Sequence, residues 1–205
     1  TLSTAVFEKE TVNAVGGQLY VANSTALTGS GQISASFNTM NVVNVSGFVA
    51  NEILSLKKVT ETGFTTEYVK VHSASRDDRS SDTNFAGKLF VTRSYGAGTT
   101  GVSGSLGGSP SSAQSYEPGQ VIVSTGRVGT GYIRLNANPN DSATPFMDIV
   151  ERTGTGVYDV DLKVRVGDLS GLSSATLFGN SNPGFGIFTE NGFFKGGINA
   201  TTGSF

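Results

Sequence analysis

The chain has 205 residues, a formal net charge of −2, 15% charged residues and 28 glycines. With no cysteine and a single histidine, it excludes disulfides, a thiolate nucleophile, Cys-based zinc or iron–sulfur sites and a multi-histidine metal centre. The near-neutral charge argues against a general nucleic-acid binder, and no apolar run approaches the roughly 18 residues a membrane-spanning helix needs.

Few windows carry the i, i+3, i+4, i+7 apolar spacing of a helix, whereas short alternating runs are frequent. Thr1–Glu10 is polar and mixed, without a start Met or signal peptide, and the chain stops at Gly203-Ser204-Phe205, so it reads as an excerpt of a longer protein or a processed chain. Turn signals at Gly16-Gly17 and Gly29-Ser30-Gly31 punctuate the first stretch. Strands are expected at Glu52–Val59, Glu67–Val71 and Lys88–Thr92. Gly96–Ser115 lacks charge and is dominated by Gly, Ser and Thr; it cannot bury enough apolar surface to offset its ordering entropy and predicts an exposed, mobile loop. Further strands are expected at Val121–Val123 and Tyr132–Leu135. Val160–Val166 alternates strictly, which places Val160, Leu162, Val164 and Val166 on one face. Asn191-Gly192 predicts a tight hairpin between Phe188 and Phe193. The expected fold is all-β, with about a dozen short strands and at most one or two helical turns.

Six of the 13 phenylalanines fall in residues 171–205, on a stretch too short to form its own core. Such a surface calls for cover by another element or another chain. The expected subunit interface is Phe185, Ile187, Phe188, Phe193, Phe194 and Ile198.

The stretch Val-Arg-Val-Gly-Asp-Leu-Ser-Gly-Leu at 164–172, followed by Gly-Phe-Gly-Ile-Phe-Thr-Glu-Asn-Gly-Phe-Phe-Lys-Gly-Gly-Ile-Asn-Ala-Thr-Thr-Gly-Ser at 184–204, resembles phage and prophage tail-fibre and tail-tip structural proteins. Gly126–Leu135, Ala143–Ile149, and Phe7-Glu8 with Ala14–Gly17 are similar to the same family. Gly192 departs from the pattern, where Tyr or Val is frequent, and loosens the hairpin. The chain reads as an N-terminal β segment (1–37), a small β-barrel or sandwich (38–125) carrying the flexible loop at 96–115, a β segment (126–170) expected to pair with the first, and a fibre or trimerisation segment (171–205); the resemblance implies that 38–125 is an insert. It implies small β-sandwich or barrel modules in a fibre-like homotrimer, located on the virion. The implied role is a non-enzymatic part of a phage tail fibre or tail tip involved in host attachment. The implied partners are other copies of the chain, other tail proteins and a host cell-surface receptor, with no cofactor, no metal, no nucleic acid and no membrane insertion. The competing readings are a carbohydrate-binding or polysaccharide-degrading tail-spike module, and a bacterial extracellular adhesin.

Candidate chemistry is sparse. His72 follows an expected strand and reads as a surface or edge histidine, because a general base needs a partner in reach. Asp77, Asp78 and Asp82 offer calcium-type oxygens, but Arg76 and Arg79 neutralise them, and Asn138, Asn140 and Asp141 read as a turn. Asp159 and Asp161 share a strand face and invite a glycosidase reading, set against the absence of Trp and of a sugar platform. Gly101–Gly108 lacks the Gly-Lys-Ser/Thr of a phosphate loop. Arg127, Arg134, Arg152 and Arg165 are expected as outward strand residues paired with Asp148, Glu151 and Asp161, or as an anion site if they cluster. Tyr20, Tyr95, Tyr116 and Tyr132 are either a recognition patch or half-buried sheet residues.

Overall fold

The computed structural model describes residues 18–28, 31–33, 39–61, 63–76, 86–92, 114–197 and 199. These residues form thirteen strands and no helix, so the chain is all-β. In order they are β1 (Gln18–Val21), β2 (Ser24–Ala26), β3 (Gly31–Ile33), β4 (Thr39–Val42), β5 (Ile53–Thr60), β6 (Gly63–Arg76), β7 (Gly87–Thr92), β8 (Gln114–Tyr116), β9 (Val121–Ser124), β10 (Gly131–Asn136), β11 (Phe146–Arg152), β12 (Val160–Asp168) and β13 (Phe185–Thr189).

Every ladder is antiparallel. One sheet has the order β2-β9-β5-β6-β7-β4 and curls into a half-barrel; the other has the order β1-β10-β11-β12-β13. A two-stranded ribbon, β3-β8, completes the set. The segment 18–26 pairs first with β10 and then with β9, while residues 125–130 loop out between those two strands, so this segment links the two sheets. Residues 18–21 thus pair with residues 133–136. The insert expected at 38–125 is wider in the structure, since Ser24–Ala26 already belongs to the curled sheet. Gln114–Tyr116, expected at the end of the mobile loop, is a strand; the rest of that loop, 96–113, lies outside the described residues.

The curled sheet closes on its own apolar core. Met40, Val42, Leu54, Leu56, Val69, Val71, Leu89, Val91 and Ile122 are each at most 1% exposed. Alternation puts Val69 and Val71 on the inside of β6; His72 then falls at a register shift between Val71 and Ser73, is exposed, and contacts the Thr92 hydroxyl. Tyr116 is buried in this core and donates from its hydroxyl to Glu67 Oε2 at 2.9 Å, so it belongs to no surface patch.

Glu52, at the mouth of the same sheet, is 7% exposed. Its carboxylate accepts from the Ser124 hydroxyl at 3.0 Å and the Val49 N–H at 3.3 Å. Burial pushes its pKa up, and those hydrogen bonds only partly offset it. A carboxyl with a raised folded pKa binds protons more tightly in the folded state, so stability falls as pH rises through that window. Glu52→Gln is expected to raise the urea midpoint at pH 7 and to leave it unchanged well below the ordinary carboxylate range. Urea titrations at the two pH values measure this.

The hairpin expected at Asn191-Gly192 is absent. Strand β13 ends at Thr189, whose hydroxyl donates to the Asn191 carbonyl at 3.0 Å, and residues 190–197 form no strand. The phenylalanines beyond the turn find no partner strand among the described residues, so Phe193 is 96% and Phe194 75% exposed.

Candidate functional site

The five-stranded sheet presents two unlike faces. On one face the register aligns Tyr20, Arg134, Asp148, Arg165 and Phe188 across all five strands. Asp148 accepts from Arg165 Nε at 2.7 Å, from Arg165 Nη2 at 2.9 Å and from Arg134 Nη2 at 2.6 Å. Its carboxylate thus binds one guanidinium in a fork and a second end-on, the geometry that gives such pairs their strength. The side chains of Asp148 and Arg165 are 1% and 7% exposed. The Phe146 ring lies beneath both cations, 3.8 Å from Arg165 Cζ and 5.2 Å from Arg134 Cζ. A β-carbon on Gly167, the partner of Phe146 on the next strand, would stand 2.4 Å from the Pro145 carbonyl oxygen and 2.7 Å from Phe146 Cα. That close approach, with φ of +130°, requires glycine.

The arginines expected to point outward are therefore drawn inward. Arg152, also on this face, is 1% exposed and donates to the carbonyls of Thr125, Gly156 and Val157. Arg127 alone keeps an exposed position, in the turn before β10. Glu151 and Asp161 pair instead with Lys163, which also reaches Glu190. Lys163 and Asp161 hold each other charged, raising the lysine pKa and lowering that of the carboxyl. Asp159 accepts from the Gly156 N–H at 2.6 Å, whereas Asp161 pairs with Lys163. The oxygens of Asn136, Asn138 and Asp141 accept from N–H groups of their own turn. Asp77, Asp78, Asp82, Tyr95 and Gly101–Gly108 lie outside the described residues, among which no group of three or more metal-ligating side chains occurs.

The other face is apolar. Register places Leu19, Ile133, Met147, Ile149, Val164, Val166, Ile187 and Phe185 on it. Ile149 is 40%, Val166 37%, Ile187 69% and Phe185 68% exposed. A bulge at Lys163 shifts the ladder between Ile149 and Val150. One extra residue reverses the facing of a strand, so Val164 and Val166 share the open face while Leu162 pairs with Val150 on the other. The four β12 residues expected on one face are split between two. Of the expected interface residues, Phe185 and Ile187 share the open face, whereas Phe188 is half-buried opposite, in the arginine row. Phe193 and Phe194 follow on the exposed tail, and Ile198 lies outside the described residues.

A cleft of about 370 Å³ separates the ionic face from the curled sheet. It gathers Tyr20, Tyr68, Tyr132 and Tyr158, with Lys57, Arg134 and Arg152. Tyr20 and Tyr132, named from the sequence, stand with ring centroids 5.4 Å apart, and Lys57 Nζ lies 5.4 Å from the Tyr20 centroid. Burial pushes the Tyr68 hydroxyl up to about 12 and raises that of Tyr132. Val157 packs on Ile53, with Tyr68 against them, and so anchors the β11–β12 loop to the curled sheet. Sequence reading missed Tyr68, Tyr158 and Lys57 because they come from separate strands and a loop that meet only in the fold. Comparison of the chain with protein-family models, with curated proteins and with solved structures returns no match.

Proposed function

We propose that this chain is a structural, self-associating module of an extracellular fibre, of the phage tail-fibre or tail-tip class that its C-terminal motifs resemble. One observation carries the reading. The five-stranded sheet buries its charged face and leaves its apolar face half-open, the reverse of a sheet that works alone. Copies of the same chain, arranged about a threefold axis, would cover it, with Phe185, Ile187 and the Phe193-Phe194 tail at the contact. Glu151, Asp161, Lys163 and Glu190 lie at one end of that face and supply a charged rim around an apolar centre. The module then acts mechanically, holding a distal surface in place, and repeated copies multiply weak receptor contacts through effective concentration.

The competing carbohydrate reading is favoured by the tyrosine-lined cleft, as a binding site. The described residues of its lining include no carboxylate, so they favour binding over the carboxylate pair that glycoside cleavage uses.

Light scattering on the chain and on a truncation ending before Gly184 tests the proposal. A trimer is expected for the first, and a weakened or lost trimer for the second, which lacks β13 and the phenylalanine tail. A folded monomer at micromolar concentration from the longer chain contradicts it.

A further inference from the structure

We propose that the inter-sheet cleft binds a carboxylate-bearing sugar ring, of the hexuronate type. The volume, about 370 Å³, lies at the small-ligand end of the range for ligand sites. Four of the chain's six tyrosines line it, so one cavity offers several aromatic faces for the C–H surface of a ring and several hydroxyls for its edge. Ser55 and Thr66 add hydroxyls to the wall, which suits a polyol better than a flat apolar acid. Every charged residue on the described lining is cationic: Lys57 and Arg134, with Arg152 buried in the wall and its guanidinium held by Thr125, Gly156 and Val157. Asp148 faces Arg134 from behind the wall, but it is shared with Arg165, so the local balance stays positive.

A second observation points the same way. Among the described residues, the one buried side-chain polar atom without a hydrogen-bond partner is Arg134 Nε, on this wall. A buried donor left unpaired is costly and calls for an acceptor. An anionic ligand, alone or through bound water, brings acceptors to that guanidinium. Tyr68 and Tyr132 are neutral hydroxyl donors at physiological pH, as tyrosines ordinarily are. The cleft opens from the face opposite the apolar one, so its occupancy does not depend on self-association, and either proposal can fail without the other.

The chain has no tryptophan, so intrinsic tyrosine fluorescence reports chiefly on this cleft. Titration with sodium glucuronate is expected to give a saturable change with Kd on the order of 1 mM. Glucose and acetate, at matched ionic strength, are expected to bind at least about tenfold more weakly, the loss of one charge-assisted or one stacking contact. Lys57→Met and Tyr158→Ala are each expected to weaken glucuronate binding by about tenfold. Tyr158 is 58% exposed on a loop, so its variant keeps the fold even if the Lys57 variant does not. No saturable response to glucuronate, equal responses to glucose or acetate, or unchanged affinity in folded Tyr158→Ala would each overturn the proposal.

Discussion

Asp148→Asn is expected to destabilise the chain by about 3–5 kcal/mol, the cost of leaving buried cations without their counter-ion. Asp148 is the only described acid in ion-pair contact with Arg134 and Arg165, and it is fully buried. Asparagine fits the same space but accepts with one oxygen and brings an N–H₂ toward two guanidinia that only donate. Against a typical domain stability of about 5–15 kcal/mol, that loss takes much of the margin. Replacing the whole cluster, Arg134→Met, Asp148→Leu and Arg165→Met together, is expected to recover most of the loss, because a buried ion network contributes little net stability over apolar residues of similar volume. Urea denaturation of the single and triple variants measures both effects. A single variant as stable as the parent would mean that the cluster is not the structural centre of this sheet.

The second large effect concerns association. Val166 and Ile187 are cross-strand partners on the open face, 37% and 69% exposed in the single chain. Changing both to Asp is expected to abolish the proposed trimer and to cost the subunit itself about 1–2 kcal/mol, because like charges then stand directly opposite each other in adjacent strands. Each apolar side chain of this size contributes on the order of 1.5–3 kcal/mol when fully buried. Losing two per copy, and placing carboxylates where no counter-charge waits, weakens association at least about a hundredfold. Light scattering gives the mass, and circular dichroism verifies that the strands persist. An undiminished trimer would move the interface elsewhere.

These two expectations mark where sequence reading reached and where it stopped. The strands at Glu67–Val71, Lys88–Thr92, Val121–Val123, Tyr132–Leu135 and Val160–Val166 were legible because β-branched and aromatic residues alternate between turn signals. Which face of each strand is covered was not. Alternation in Tyr132–Leu135 and Phe146–Arg152 shows that two faces differ, yet it does not say which face meets solvent, and polar side chains point there by default. In the structure a β-carbon added at Gly171 would stand 3.3 Å from Arg165 Nη1 and 3.0 Å from Ala143 Cβ, so the loops carrying Ala143 and Gly171 meet beside Arg165, which is buried. Those loops are remote in sequence, so no local periodicity encodes their meeting. One signal was available: Ile133 and Leu135 beside Tyr132, and Met147, Ile149 beside Phe146 and Val150, form near-continuous apolar runs. Such runs mark strands covered on both sides. The bulge at Lys163 was invisible for a different reason, since an inserted residue alters facing without altering composition.

The cleft was half legible. Tyr20 and Tyr132 are legible as paired strand tyrosines, but Tyr116 is a core residue, and Tyr68, Tyr158 and Lys57 join the cleft only where the two sheets and the β11–β12 loop meet.

Hydroxyl-radical footprinting with mass spectrometry, on dilute and concentrated chain, addresses most directly whether copies cover the open face. Oxidation at Met147, Phe185 and Ile187 is expected to fall several-fold as concentration rises, while Tyr158, exposed on the cleft side, reacts equally throughout. Undiminished oxidation of those three side chains at high concentration would contradict the account.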